Sequence, residues 1–237
     1  MTLNIIDLII LAILGVSLLF GLYRGFIASV SSLGSCVLSL GLSYWLSPKL
    51  VGYISSNPNL IRTLMSYTDA ATRIGDQTLA QTEVSALGSE AISDILTRVN
   101  LPGPLNTLLR ENLESQIFEP SHLTQVGDYV SQTIVGAVLN VISFVICFVL
   151  CLIVLHFALN FLRAVFRFPV LKQMNALAGG VFGLLRGILL CFVAFALLPL
   201  IQTVAPLEEI NAIIANSTLA PLFNSSQLFL SIINGSL

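Results

Sequence analysis

Charged residues are scarce in this chain of 237 residues. Lys, Arg, Asp and Glu together make up only 9% of it, whereas 56% is hydrophobic. Soluble domains carry roughly 25% charged residues. The composition therefore excludes a soluble globular domain and predicts a protein that is embedded in lipid. Nucleic-acid binding is excluded as well, because the only basic cluster holds three residues.

The sequence also lacks the motifs that organise common catalytic and metal sites. Gly-x-Ser-x-Gly, His-Glu-x-x-His and Cys-x-x-Cys are all absent. All four cysteines fall within apolar runs, and Cys147 and Cys151 have only His156 nearby, which is too few ligands for a zinc site. We therefore expect buried thiols that pack as small apolar groups, with no metal, no cofactor and no enzymatic activity.

Four apolar runs are each long enough to cross a membrane, which takes about 20 residues of helix. They cover residues 3–22, 26–46, 133–162 and 176–204. The predicted fold class is an all-α polytopic membrane protein with four transmembrane helices and a helical extracytoplasmic insertion between helices 2 and 3. The predicted organisation is 1–46 for helices 1 and 2, 47–132 for the insertion, 133–204 for helices 3 and 4, and 205–237 for an extracytoplasmic tail.

The charges between the runs predict an orientation. The connection between the third and fourth runs carries Arg163, Arg167 and Lys172 and no acid, and the connection between the first two carries Arg24 alone. The positive-inside rule places such short basic connections in the cytoplasm. The N-terminus, the insertion and the C-terminus are then expected outside.

The insertion has helical character. Two groups of its apolar residues follow the spacing of a helix face, and Pro102-Gly103-Pro104 separates them. The groups are Ala91, Ile92, Ile95, Leu96 and Val99, then Leu105, Leu108, Leu109, Leu113 and Ile117. A less regular element covers residues 60–80, and Pro120-Ser121 has the composition of a helix start. We expect short amphipathic helices that pack on one another or lie on the outer membrane surface.

A five-residue pattern occurs twice beside these apolar runs. One copy is Gly21-Leu22-Tyr23-Arg24-Gly25 and the other is Gly183-Leu184-Leu185-Arg186-Gly187. Gly179, Gly183 and Gly187 also recur every four residues, a ridge that lets another helix approach closely. The candidate structural motif residues are therefore Gly21, Arg24, Gly25, Gly179, Gly183, Arg186 and Gly187. The second run, with Ser29, Ser31, Ser32, Ser35, Ser39 and Ser43, is the expected partner of the ridge.

The ionisable groups in the runs each have two interpretations. An arginine in hydrocarbon is costly unless it snorkels or is paired. Arg24 is either a topology signal or a structural or lipid-binding residue. Arg186 is explained either by a half-helix over 176–185 packed on protein or by snorkelling to the cytoplasmic phosphates, in preference to a transport role. Asp7 is expected to reach water at the outer membrane surface, and His156 to be a packing or interfacial residue in preference to a proton relay.

The chain resembles the colicin V production protein family of bacterial inner-membrane proteins. The matching segments are Ile6-Asp7, Arg24-Gly25-Phe26, the block of residues 177–189 and the tail element Ser217-Thr218-Leu219-Ala220-Pro221. The resemblance implies a multi-pass protein of the bacterial cytoplasmic (inner) membrane with a role in toxin production or export. It assigns no chemistry to any residue.

Three functions from different classes follow from these observations. The favoured one is a non-catalytic scaffold or accessory factor in toxin (bacteriocin) production, export or envelope maintenance. The alternative is a small oligomeric channel or transporter, since transporters often contain internal repeats. The least favoured is an envelope-facing enzyme that uses His122 with Asp94 or Glu90. The expected partners are the lipid bilayer, further copies of the chain, or export and envelope proteins.

Overall fold

The computed structural model describes residues 4–68, 70–118, 123–165, 172–199 and 213–223. Within these ranges the chain is helical and contains no strand beyond one isolated bridge between Glu83 and Gln125. The helices are α1 (Ile5–Arg24), α2 (Phe26–Ser55), α3 (Pro58–Thr68), α4 (Ala70–Ile74), α5 (Gln77–Ala80), α6 (Ser89–Val99), α7 (Gly103–Ser115), α8 (Val126–Val165) and α9 (Lys172–Ala196). A 3₁₀ turn at Val84–Ala86 and a short helical turn at Ala220–Phe223 complete the described elements.

Four of these helices are long and apolar enough to span a membrane. They are α1, α2, α8 and α9, and they confirm the predicted all-α polytopic class. α1 packs mainly along α9, α2 packs mainly along α8, and a further contact between α2 and α9 joins the two pairs. The bundle therefore has a Gly25 end, where α1 turns into α2, and an Asp7 end, where α1 begins.

Exposed aromatic side chains lie near both ends of the apolar part of α2. Tyr23, just before α2 begins, is 91% exposed, and Trp45 is exposed with Lys49 over its ring. The part of α2 from Phe26 to Trp45 spans about 30 Å, which is the thickness of the hydrocarbon core. Tyr and Trp are enriched at both membrane surfaces. α2 then continues through Pro48 to Ser55, so the helix extends beyond the predicted boundary at residue 46.

The residues between α2 and α8 form an insertion unit with its own apolar core. Ile92, Ile95, Leu96 and Val99 of α6 are buried against Leu105, Leu108, Leu109 and Leu113 of α7, as the helical spacing predicted. The start of α8 completes this core with Val126, Tyr129 and Val130. Asn112 of α7 also donates a hydrogen bond to Thr133 Oγ1 of α8 at 2.9 Å. The insertion unit is therefore α3 to α7 together with the first turns of α8.

The C-terminal part of this unit departs from the sequence prediction at Ile117. Ile117 is 44% exposed, because α7 ends at Ser115 and Gln116 takes a left-handed backbone conformation with φ 50°. Pro120 and Ser121 lie outside the described residues, and residues 123–125 are not helical. α8 therefore begins at Val126, and its 40 residues reach about 60 Å, well beyond one bilayer thickness.

Candidate functional site

The two copies of the repeated pattern lie against each other. Gly21 of α1 contacts the backbone of Gly179 in α9, and a methyl group built on Gly21 would also lie 3.0 Å from Gly183 Cα. No side chain larger than hydrogen fits between backbones at this separation. The sequence spacing of the glycines thus corresponds to a close contact between the first and last spans.

The glycine ridge of α9 faces α1 along its length. Gly183 packs on the backbone of Ser17, and a methyl group on Gly187 would lie 2.9 Å from Ser17 Cβ. The expectation that the serine-rich helix α2 is the partner of this ridge is therefore wrong. The small residues that receive the ridge are on α1, where Ser17 and Gly21 are one turn apart.

Gly25 and Asn175 hold the Gly25 end together. Gly25 has a φ of 80°, a conformation that L side chains rarely adopt. Asn175 Oδ1 accepts a hydrogen bond of 2.7 Å from the backbone N–H of Phe26, the first residue of α2. The side chain of α9 thereby satisfies a helix N–H that has no partner within α2 itself.

Arg186 is held by protein groups. Its Nη1 donates a hydrogen bond of 2.8 Å to Ser32 Oγ of α2, and its guanidinium carbon lies 5.5 Å from the centroid of the Phe20 ring. α9 runs without a break from Lys172 to Ala196, so the expectation of a separate half-helix over 176–185 is wrong. Side chains on a helix tilt towards its N-terminus, which directs Arg186 towards the Gly25 end.

Arg24 and Arg186 line one cavity of about 380 Å³, which is named here the arginine cavity. All four membrane helices contribute to it, with Phe20 and Arg24 from α1, Ser32 from α2, His156 and Phe157 from α8, and Arg186 from α9. The guanidinium carbon of Arg24 lies 4.3 Å from the Phe20 ring centroid. Both arginines of the repeated pattern therefore lie near the Phe20 ring and line the arginine cavity. His156 lines this cavity as well.

Asp7 is buried and anchors the tail, so the expectation that it reaches water is wrong. Its exposed fraction is 0%. Its Oδ1 accepts hydrogen bonds from Ser217 Oγ at 2.6 Å and from the N–H of Leu219 at 2.9 Å, and its Oδ2 accepts from the N–H groups of Asn4 and Thr218. A buried carboxylate needs such donors to replace its hydration. The two outermost elements of the sequence resemblance, Ile6-Asp7 and the tail element, therefore meet.

Most of the serine hydroxyls of α2 form hydrogen bonds within their own helix. Ser29, Ser39 and Ser43 are buried. Ser39 Oγ donates to the carbonyl of Ser35 at 2.6 Å, and Ser43 Oγ donates to that of Leu40 at 2.9 Å. Ser32 differs, since it accepts the hydrogen bond from Arg186. Most of these hydroxyls therefore bond within α2, while Ser29 Oγ donates to the carbonyl of Gly21 in α1 at 3.4 Å.

The structure describes only some of the residues considered for catalysis or metal binding. Asp94 forms an exposed ion pair with Arg98 at 2.8 Å, and His122 lies outside the described residues. Cys147 and Cys151 are free thiols. Within the described ranges no group of three or more His, Cys, Asp or Glu side chains is placed to hold a metal ion.

Two residues that position the membrane helices were not singled out from the sequence. Ser17 receives the glycine ridge and Asn175 caps α2. Ser17 stands four residues before Gly21, so the small-residue spacing of the first run was a usable signal. The role of Asn175 depends on a residue 149 positions away and left no local signal.

The fold and these contacts define a polytopic all-α membrane protein whose first and last spans pack closely together through glycines. Its sequence matches the model of the colicin V production protein family over residues 6–81 and 121–227, and the chain belongs to that family. The unmatched residues 82–120 contain α6 and α7 of the insertion unit. No curated protein and no solved structure matches the chain.

Proposed function

We propose that the protein is a non-catalytic membrane scaffold or accessory factor for toxin (bacteriocin) production, export or envelope maintenance. Membership of the colicin V production family supports the process. The observation that carries the molecular role is that several polar side chains within the spans form hydrogen bonds that hold the fold together. Asp7 holds the tail, the α2 serines bond mainly to their own helix, and Arg186 bonds to Ser32.

The insertion unit is the natural surface for a partner protein in this proposal. It has its own apolar core, so it can present a fixed surface away from the lipid. Glu111 and Glu114 of α7 are exposed. A photoreactive residue at position 114 should therefore cross-link to a partner protein, whereas the same residue at Phe157, which is 71% exposed on a membrane helix, should cross-link to lipid.

The first test is affinity capture of the tagged protein after cross-linking in native membranes, with identification of co-purifying proteins by mass. A recurrent export or envelope protein, captured through position 114 and not through position 157, supports the scaffold role. Self-cross-links alone, at a fixed small stoichiometry, contradict it. They would favour the alternative of a small oligomeric channel and make conductance the next measurement.

We propose that the protein resides in the bacterial cytoplasmic membrane with its Gly25 end in the cytoplasm. The basic connection that carries Arg163, Arg167 and Lys172 supports this orientation. The N- and C-termini and the insertion unit are then outside. In intact spheroplasts a membrane-impermeant maleimide should label Glu111→Cys and should label Tyr23→Cys only after permeabilisation. The reverse pattern would overturn the orientation.

The two arginines of the repeated pattern should contribute unequally to function. In a complementation assay for toxin production, Arg186→Leu should impair function more than Arg24→Lys, because Arg186 bonds to Ser32 and lies inside the bundle. Arg163→Ala, in the basic connection, should be mild. Equal tolerance of all three substitutions would refute a special role for the repeated arginines.

A further inference from the structure

We propose that the arginine cavity binds the phosphate of an anionic lipid headgroup. This inference goes beyond the scaffold role, because it assigns a ligand class to a particular space in the bundle. The cavity volume of about 380 Å³ lies within the range of about 300–1,000 Å³ that is usual for small-molecule sites. It has room for a phosphate and the first atoms of the group that the phosphate carries.

The first argument is charge. Arg24 and Arg186 approach the same ring, at 4.3 and 5.5 Å from the centroid of Phe20. Both side chains are positively charged and line the same cavity, and like charges repel, most strongly where water is scarce. In the described part of the chain no carboxylate forms an ion pair with either cavity arginine. An anion between the two guanidinium groups would remove this repulsion.

The second argument is an unmet hydrogen-bond donor. The Nε of Arg186 is buried and has no hydrogen-bond partner among the residues that the structure describes. Its Nη1 is already fixed by Ser32 at 2.8 Å, so the planar guanidinium is held in place before a ligand arrives. Guanidinium groups present several N–H donors in a geometry that suits phosphate oxygens. His156 also lines the cavity, from α8.

The third argument distinguishes a lipid phosphate from a free phosphate ion. Three apolar side chains on the cavity wall, Phe20, Ile153 and Phe157, are 40%, 48% and 71% exposed on membrane helices. The acyl chains of a lipid can pack against this apolar surface, whereas a free phosphate ion has no favourable interaction with it. Arg24 is the last residue of α1 and stands at the Gly25 end. This position corresponds to the depth of the lipid headgroups, where interfacial arginines contact phosphates.

The test is lipid retention by the purified, delipidated full-length protein, read by native mass spectrometry. The probes are phosphatidylglycerol, phosphatidylcholine and inorganic phosphate. Phosphatidylglycerol should bind, phosphatidylcholine should bind about tenfold more weakly, and inorganic phosphate should not displace the lipid. Arg24→Gln and Arg186→Gln should each weaken phosphatidylglycerol binding by about tenfold or more, because each removes a charged donor.

The controls separate a binding defect from a folding defect. Arg98→Gln removes a positive charge from the exposed surface of the insertion unit and should leave lipid binding unchanged. Arg24→Lys keeps the charge and should restore most of the binding that Arg24→Gln loses. If Arg186→Gln fails to fold, Arg24→Gln still decides the matter, because the Arg24 side chain is exposed.

Three results would overturn the proposal. They are unchanged phosphatidylglycerol binding in both glutamine variants, equal affinity for phosphatidylcholine, and displacement of the lipid by inorganic phosphate. The last result would assign the cavity to a free phosphate ion. The measurement uses purified protein and does not depend on toxin production, so its failure is distinguishable from failure of the scaffold proposal.

Discussion

Replacing Gly21 by alanine is the most direct perturbation of the α1–α9 contact. The added methyl group would meet the backbone of Gly179 and would lie 3.0 Å from Gly183 Cα. Backbone atoms cannot rotate away as a side chain can, so the two helices must separate. Separation also loosens the neighbouring contacts of Ser17 with Gly183 and Gly187.

The expected magnitude follows from two opposing terms. Overpacking of this kind typically costs about 1–3 kcal/mol. Replacing a glycine inside a helix by alanine gains roughly 0.5–1 kcal/mol, because less backbone entropy is lost on folding. Gly15→Ala isolates the second term, since Gly15 lies in the same helix and a methyl group there meets no atom within 4 Å. The difference between the two variants should therefore be about 2 kcal/mol, with Gly21→Ala the less stable.

The assay is unfolding of the purified protein in mixed micelles on titration with a denaturing detergent, followed by circular dichroism. The pair of variants shares helix, residue types and lipid environment, so the comparison reports the contact with α9. Equal unfolding free energies for Gly21→Ala and Gly15→Ala, within about 0.5 kcal/mol, would refute the close packing of α1 on α9.

Three further predictions concern the hydrogen bonds of Asp7, the Asn175 cap and one ion pair. Asp7→Asn should speed hydrogen exchange at the backbone amides of the tail element. The substitution replaces one of the two accepting oxygens by an amide nitrogen, at a cost of about 1–3 kcal/mol. Unchanged exchange would contradict the role of Asp7 as the anchor of the tail. Asn175→Ala should lower the unfolding free energy by about 1 kcal/mol through loss of the α2 cap, and a neutral effect in the same micelle assay would show that the cap is unimportant. Asp94→Ala should change that free energy by less than about 1 kcal/mol, because its pair with Arg98 is exposed; a larger loss would indicate a role beyond that pair.

The membrane helices and the insertion helices were predictable from the sequence because their signals are local. Hydropathy over about 20 residues identifies a span, and helix-face spacing identified the buried residues of α6 and α7. The end of α7 escaped prediction because Ile117 continues the apolar spacing after the helix has stopped. A left-handed residue at Gln116 ends the helix, and glutamine gives little local indication of that conformation.

The partner of the glycine ridge was not predictable in the same way. A row of glycines at four-residue spacing says that a helix approaches closely, without saying which one. The serines of α2 and the Ser17–Gly21 pair of α1 are both small-residue surfaces in sequence. They differ in what the hydroxyls do, since those of Ser39 and Ser43 are bonded to their own helix. That distinction depends on rotamers and packing.

The position of α1 explains why the repeated pattern and the tail element belong to one arrangement. α9 contacts α1 through glycines along the middle, Asn175 fastens the Gly25 end, and the tail closes on Asp7 at the other end. The second pair, α2 with α8, meets this assembly chiefly where α2 contacts α9. The Arg186–Ser32 hydrogen bond crosses that junction, and the arginine cavity opens beside it with walls from both pairs. A lipid phosphate bound in the cavity would therefore contact both helix pairs, and its removal should loosen the junction between them while leaving the glycine-sealed α1–α9 pair intact.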